Sequence, residues 1–336
     1  MVDEPLSRRA LLGIAWGGSL LFLRGCGPVK GKLAARRGEM PDRWVRVLPN
    51  DWRVNWLEGS AGLQKAVWAP MGQRPALVQL TDGWASTLSP RAWEPFGHED
   101  ILARLSPRAA LASRLFRGLE QAPLGFPWSF NPWVILLRDR PDLARREERG
   151  WDLLLDPSLT GKVVLPASPR VVMALVGHDP ERLCQLRRQA LSLDDRDGLN
   201  LLLSGGGEAA VLPRQRVVPL LRRDPRLTAL LPHQGGPVAW SLLLRPAGAH
   251  PIPPGQWLEA CLTPPLLPRL LAGGWVPPLP RPALEEALRG MPPPLQSLLL
   301  PPEGVLNRCV SFPPLSEPDR QQLQELWNRS LSCPQP

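Results

Sequence analysis

Three strand-to-helix corners carry the side chains best suited to meet a ligand. Thr81-Asp82-Gly83-Trp84 follows the apolar run Ala76–Leu80, Ser168-Pro169-Arg170 follows Lys162–Pro166, and Arg214-Gln215-Arg216 follows Glu208–Leu212. The chemistry they offer is non-covalent. Helix N-termini with unpaired N–H groups, together with the guanidinium forks of Arg170, Arg214 and Arg216, receive carboxylate or phosphate. Trp84, Phe130 and Trp240 would supply stacking walls, and Ser241 stands next to Trp240. Two plainer readings remain open: the arginines as part of an arginine-rich surface, and Trp84 and Trp240 as core packing.

Other chemistry lacks its residues. No Ser stands in a G-x-S-x-G elbow, so a hydrolase triad has no nucleophile. Gly205-Gly206-Gly207 lacks a following Lys-Ser/Thr and precedes a strand, so it is not a phosphate-binding loop. His98, His178, His233 and His250 are isolated, and the neighbours His98-Glu99-Asp100 do not converge on one helix face. No cysteines lie at C-x-x-C spacing, which removes the common zinc and redox motifs. No enzyme activity and no cofactor are expected. Cys309 and Cys333 could pair in an oxidising compartment, or could stay free thiols.

The elements that position the corners follow from pattern. Val163, Val164 and Leu165 form a continuous apolar run, as in a strand buried on both faces. Ser168 is placed to cap a helix, with Pro169 at its first position, where a missing N–H costs nothing. Trp52–Leu57, Ala76–Leu80, Trp133–Arg138, Glu208–Leu212 and Val238–Arg245 read as further strands, and Pro123–Pro132 as a loop. Pro180–Leu191 reads as helix, and Glu317–Ser330 as an amphipathic helix capped by Ser316. Strands alternating with helices predict an α/β fold with a mainly parallel sheet. Ligands bind such sheets in the crevice at the carboxyl ends of the strands.

The chain of 336 residues is long enough for two lobes. Of 40 basic residues only four are Lys, so the formal charge of +9 reflects a preference for Arg in coding. The arginines are interleaved with acids (RDRPDLARREERG), and no nucleic-acid partner is expected. Residues 1–26 read as an export signal: an Arg8-Arg9 pair, an apolar run from Ala10 to Leu23, and Cys26 beyond it. The pair resembles a twin-arginine signal. The Cys26 surroundings resemble a lipoprotein box except for Arg24, so lipidation, plain cleavage and an uncleaved anchor all stay open. The run is short for a membrane-spanning helix. The expected location is the periplasm, with an anchor at the N-terminus as one option.

Four segments resemble the spermidine/putrescine-type periplasmic substrate-binding proteins of ABC transporters. They are Trp151–Gly161 with its following strand and Ser168-Pro169-Arg170, Pro127–Arg138, Gly207-Glu208-Ala209-Ala210-Val211, and Gly235-Gly236-Pro237 through Pro246. The resemblance implies a two-lobe, type II-like periplasmic-binding fold with a central cleft and discontinuous lobes. Residues 27–40, small and basic, read as a linker that could end in a short first strand near Leu33–Arg37, while 41–128 plus 246–334 form one lobe and 129–245 the other. The resemblance also implies a small-molecule solute, a membrane permease as partner, and a ligand site over Thr81, Asp82, Trp84, Phe130, Ser168, Arg170, Asp195, Arg214, Trp240 and Ser241. The family's acidic positions fall instead at Ala167, Ser168 and Val171, and its amine-anchoring Asp falls at Ser241. Its Asn-Trp element is absent, and Arg36-Arg37-Gly38 stands near that place. The paired tyrosines with which related proteins hold ferric iron are also missing, since the chain has no Tyr. A polyamine needs carboxylates for each charge. The substituted residues therefore point to an anionic or zwitterionic solute. The alternative is an exported interaction protein that keeps the fold without binding a solute.

Overall fold

The computed structural model describes residues 28–194 and 197–332. The export-signal segment with Cys26, as well as Asp195 and Cys333, lie outside these residues. Ten strands run in chain order: β1 (Gly31–Arg36), β2 (Trp52–Leu57), β3 (Leu77–Thr81), β4 (Trp93–Glu94) and β5 (Gly125–Arg138). Then follow β6 (Val163–Leu165), β7 (Ala190–Leu193), β8 (Ala209–Pro213), β9 (Leu227–Leu230) and β10 (Val238–Pro246). The sheet order is β2-β1-β3-β10-β5-β8-β6-β7, with β4 on β10 and β9 on β5.

The first lobe is built on parallel β2, β1 and β3, and the second on parallel β8, β6 and β7. β5 and β10 pass between the lobes and pair antiparallel with each other and with their neighbours. The sheet is therefore mixed, not mainly parallel. The two long crossovers run against the strands they join, a feature that a local βα pattern does not reveal.

β5 overturns the loop expected at Pro123–Pro132. Gly125–Pro132 is strand, and it tolerates two prolines because the ladder is broken there. Ser129 faces Ser241 while Pro127 faces Leu242, so Trp128 is an extra residue in a bulge. The bulge turns Trp128 into the first lobe's core, where its ring lies 5.2 Å from Trp44 and 5.0 Å from Trp275. Trp44 and Trp257 stack at 4.5 Å, and each indole N–H donates to the other residue's carbonyl.

In the second lobe alternation places Val163, Leu165, Ala209 and Val211 in one apolar cluster and Val164, Ala210 and Leu212 in the other. Both faces are covered, as the continuous apolar runs predict.

Three boundaries differ from expectation. The short strand offered as an option at the end of the linker, near Leu33–Arg37, is present as β1 and begins earlier, at Gly31, at the heart of the first lobe, since Leu33, Ala34 and Ala35 bury completely between neighbours. The end of the expected 180–191 helix is edge strand β7, which continues the parallel order beyond β6. The last helix, Glu317–Arg329, does not pack on the first lobe with the rest of 246–334. Its Leu326 is buried in the second lobe's core with Val172, Leu183 and Leu186. Ser316 caps it as expected, accepting from Asp319 N–H at 3.2 Å.

Four passages of chain thus meet between the lobes. Phe130 N–H donates to Val276 O at 3.1 Å, Trp133 N–H to Pro237 O at 2.9 Å, and Val238 N–H to Val310 O at 2.9 Å. These adjacent passages, hydrogen-bonded to one another between the lobes, are the geometry of a hinge.

Candidate functional site

A cleft of ≈ 460 Å³ opens where the strands of both lobes end. One wall is the corner after β3. Leu77–Leu80 bury fully, so the chain must turn at Thr81, and the short Asp82–Ala85 helix begins there. The facing walls are the corner after β6, with Ser168 and Val171, and the corner after β8, with Pro213, Gln215 and Arg216. Trp133, Val238 and Ala239 form the floor, and Phe312 of the last passage closes one side.

Of the expected site residues, Thr81, Asp82, Trp84 and Ser168 line the cleft. Trp84 is 43% exposed, an aromatic face offered to the cavity and not to the core. Gln64 holds this corner by donating to Thr87 Oγ1 at 2.7 Å. Ser168 faces solvent at the start of the Pro169–Leu175 helix but forms no side-chain cap, so the expected capping bond is not made.

Asp82 is only 4% exposed. Its Oδ1 accepts the Trp240 backbone N–H at 3.0 Å, which ties the first lobe to the crossover. Burial raises its pKa from 3.8 to about 7, against the pull of that hydrogen bond and of the Arg170 charge. It is therefore partly protonated near neutrality.

Arg170 stands beside the cleft on the opposite lobe. Its guanidinium lies 4.7 Å over the Phe312 ring, a cation–π contact. Partial burial lowers its pKa, and the Asp82 carboxylate raises it in return.

Four expected ligand residues sit in the interior instead. Arg214 is fully buried. It donates to Phe130 O at 2.9 Å, Leu298 O at 3.2 Å and Leu299 O at 2.9 Å. It closes the C-terminal end of the Pro293–Leu299 helix, where unpaired carbonyls favour a cation. Phe130 packs beneath Arg214 at 5.3 Å and tilts against Trp240 at 5.7 Å. Trp240 is core, its Nε1 donating to Ser311 Oγ at 2.8 Å. Ser241 is buried between Thr81 and Ser129 on the neighbouring strands. All four belong to the hinge beneath the cleft floor.

The lining also includes Glu39, Gln79, Thr87, Trp133 and Phe312, which sequence reasoning missed, and Arg36, which stands near the place of the family's Asn-Trp element. Arg36 and Glu39 form an ion pair at 3.7 Å and neutralise one another at the rim. Their position just after a strand end was the available signal. Phe312 had none, since it arrives from a segment without secondary structure. Among the described residues no group of three His, Cys, Asp or Glu side chains could hold a metal, and no helix is long and apolar enough to cross a membrane.

Cys309 is a free thiol that donates to Val305 O at 3.4 Å, the second of the two states left open for it, and Cys261 is free and buried. Cys184, on the Pro180–Gln189 helix, is disulfide-bonded. Iodoacetamide in denaturant without reductant is expected to label Cys261 and Cys309 but not Cys184. Peptide mass spectrometry checks this, and labelled Cys184 would contradict it.

No protein-family profile matches the sequence, and no curated protein matches it significantly. Solved structures do match the fold. The spermidine/putrescine ABC transporter substrate-binding protein PotD of Streptococcus pneumoniae superposes with a TM-score of 0.73 at 11% identity, covering 90% of this chain and 98% of its own. The Tp0655 (TpPotD) lipoprotein of Treponema pallidum gives 0.67 at 13% identity, covering 89% and 98%. A periplasmic thiamin binding protein gives 0.59 at 13% identity, covering 90% and 96%. Ordered crossovers, a hinge of four passages and these matches agree: the chain has the two-lobe α/β fold of the periplasmic substrate-binding proteins.

Proposed function

We propose that this protein is the solute-capturing component of an ABC transporter. It would be exported through residues 1–26 to the periplasm and retained there free or anchored through the N-terminus at Cys26. It would bind a small charged solute between lobes 41–128 plus 246–309 and 129–245, with β1 added to the first and the last helix to the second. A membrane permease would receive the solute. The observation that carries this reading is the cleft of ≈ 460 Å³, lined from both lobes and from the hinge by aromatic rings and charges of both signs. Such a concave, mostly pre-formed site with a few convergent polar groups suits a small molecule. Lobe closure about the four passages would trap it without any covalent step.

Thermal unfolding of the full chain against polyamines, amino acids, organic anions and thiamin tests the reading. A ligand at 100 times its Kd adds about 2.7 kcal/mol to the native state. For a chain this long that raises Tm by about 4 °C. No shift with any of these solutes would favour an exported interaction protein on the same fold.

A further inference from the structure

Asp82 in the cleft and Arg170 beside it stand on different lobes, close enough for their charges to couple, and do not form an ion pair. Asp82, on the first lobe, has no Lys or Arg within ion-pair distance among the described residues, and its carboxyl is held by backbone N–H groups, that of Trp240 at 3.0 Å together with those of Gly83 and Asp82 itself. Arg170, on the second lobe, makes no hydrogen bond or salt bridge among the described residues. Its one contact partner is the Phe312 ring at 4.7 Å. Other arginines are unpaired in the same way, such as Arg187 over the Trp327 ring at 4.3 Å, while some are matched. Arg140, Arg149 and Arg226 each reach a carboxylate within 2.9 Å, and Arg36 at the cleft rim is matched by Glu39. A half-buried guanidinium without a partner and a buried carboxylate on the other lobe both carry desolvation costs that a suitable ligand would offset.

Building on the solute-site reading above, we infer that the cleft selects a zwitterion, whose cationic nitrogen meets Asp82 and whose carboxylate meets Arg170. The planar fork of Arg170 suits a carboxylate, and its seat on Phe312 holds the fork in place. Trp84, exposed beside Asp82, offers its face to the cationic end. A dication would leave Arg170 repelled, and a dianion would meet Asp82. Each thus carries a penalty that the zwitterion avoids. Closure would bring the two lobes' charges onto opposite ends of one molecule, so the ligand itself completes the ion pairs across the hinge.

Asp82 must be ionised to act this way. Burial holds its pKa near 7, so ligand affinity is expected to fall about tenfold per pH unit below that. The other charged groups around it are Arg170 after β6, Arg216 after β8, the Arg36–Glu39 pair after β1, and exposed Lys65 on the Ser60–Val67 helix. Of these only Glu39 is a carboxylate, and it is paired with Arg36 at 3.7 Å. His178, beyond the Pro169–Leu175 helix, is drawn down by burial and by Arg170, and carries no charge at pH 8.

The test is isothermal titration of the full chain at pH 8. The probes are glycine, β-alanine, γ-aminobutyrate, 5-aminovalerate and their N-trimethyl forms, set against putrescine and succinate. One zwitterion is expected to bind at least about tenfold tighter than putrescine or succinate. Asp82→Asn and Arg170→Gln are each expected to weaken it about 10- to 100-fold, as for a lost charge-assisted hydrogen bond. Asp82→Asn should also abolish the pH dependence. Tightest binding of putrescine or succinate, or zwitterion binding unchanged in both variants, would overturn the inference while leaving a solute site in place. Silence from every probe here, with a Tm shift from another solute, would overturn the zwitterion alone. Silence in both assays would remove the solute site as well.

Discussion

Asp82→Asn is expected to make the ligand-free protein more stable at pH 8, by a few kcal/mol. The buried carboxyl has its pKa raised from 3.8 to about 7, and each pH unit corresponds to 1.36 kcal/mol between the two states. The sign follows from proton binding. Between pH 3.8 and 7 the folded chain holds a proton on Asp82 that the unfolded chain has released, so folding loses stability as pH rises through this window. Below pH 3.8 both states are protonated and no penalty exists. Above about 7 the full penalty is present, and it is the charge of Asp82 that causes it. Asn keeps an oxygen to accept the Trp240 N–H, removes the charge and changes little in volume. Urea unfolding at pH 4 and pH 8 checks this. The variant should gain on the parent chain at pH 8 and lose that advantage at pH 4. Equal gains at both values would mean that Asp82 does not titrate as described. A binding residue that destabilises the empty fold is the usual signature of function held against stability.

The second large effect concerns Arg214. Arg214→Met preserves most of the apolar stem but leaves the carbonyls of Phe130, Leu298 and Leu299 without their donor. Two effects oppose each other. Removing a fully buried cation with no carboxylate relieves a desolvation cost, visible in a pKa pushed down to about 9. Leaving three buried acceptors unpaired costs about 1–3 kcal/mol each at most. The three acceptors lie in a dry interior beneath the hinge, and two of them end a helix whose dipole favours a cation. The loss should win, and we expect a net destabilisation of about 2–4 kcal/mol. Arg214→Lys, which retains the charge but not the fork, should fall between. Denaturant midpoints at constant m-value check the order. A Met variant as stable as the parent would show that the desolvation relief cancels the bonds.

These two residues also show what the sequence makes readable. Strand runs such as Val163–Leu165 and Ala209–Leu212 are visible because burial on both faces demands uninterrupted apolar residues. The corners after them are visible because Pro and Ser mark helix starts. Which side chain at a corner faces the cleft is not. Arg214 and Arg216 are two residues apart on one helix, and so project to nearly opposite sides. One enters the hinge and the other lines the cavity, and nothing in their type distinguishes them. Trp84 and Trp240 part in the same way. One stands exposed at a corner, and the other is fixed inside the sheet by its place in β10 between β3 and β5. The acid in the cleft came from the first-lobe corner, while the comparison of motifs looked for acids in the second lobe. Phe312 and the return of the last helix to the second lobe depend on contacts distant in sequence, which no local pattern encodes.

The central claim is that the lobes close on a small solute. Small-angle X-ray scattering of the full chain, titrated with the solute that gives the largest Tm shift, measures it most directly. The account predicts a fall in radius of gyration that saturates at one solute per chain and is lost in Arg170→Gln at the same solute concentration. A radius that stays constant at saturating solute, or falls equally in that variant, would contradict it.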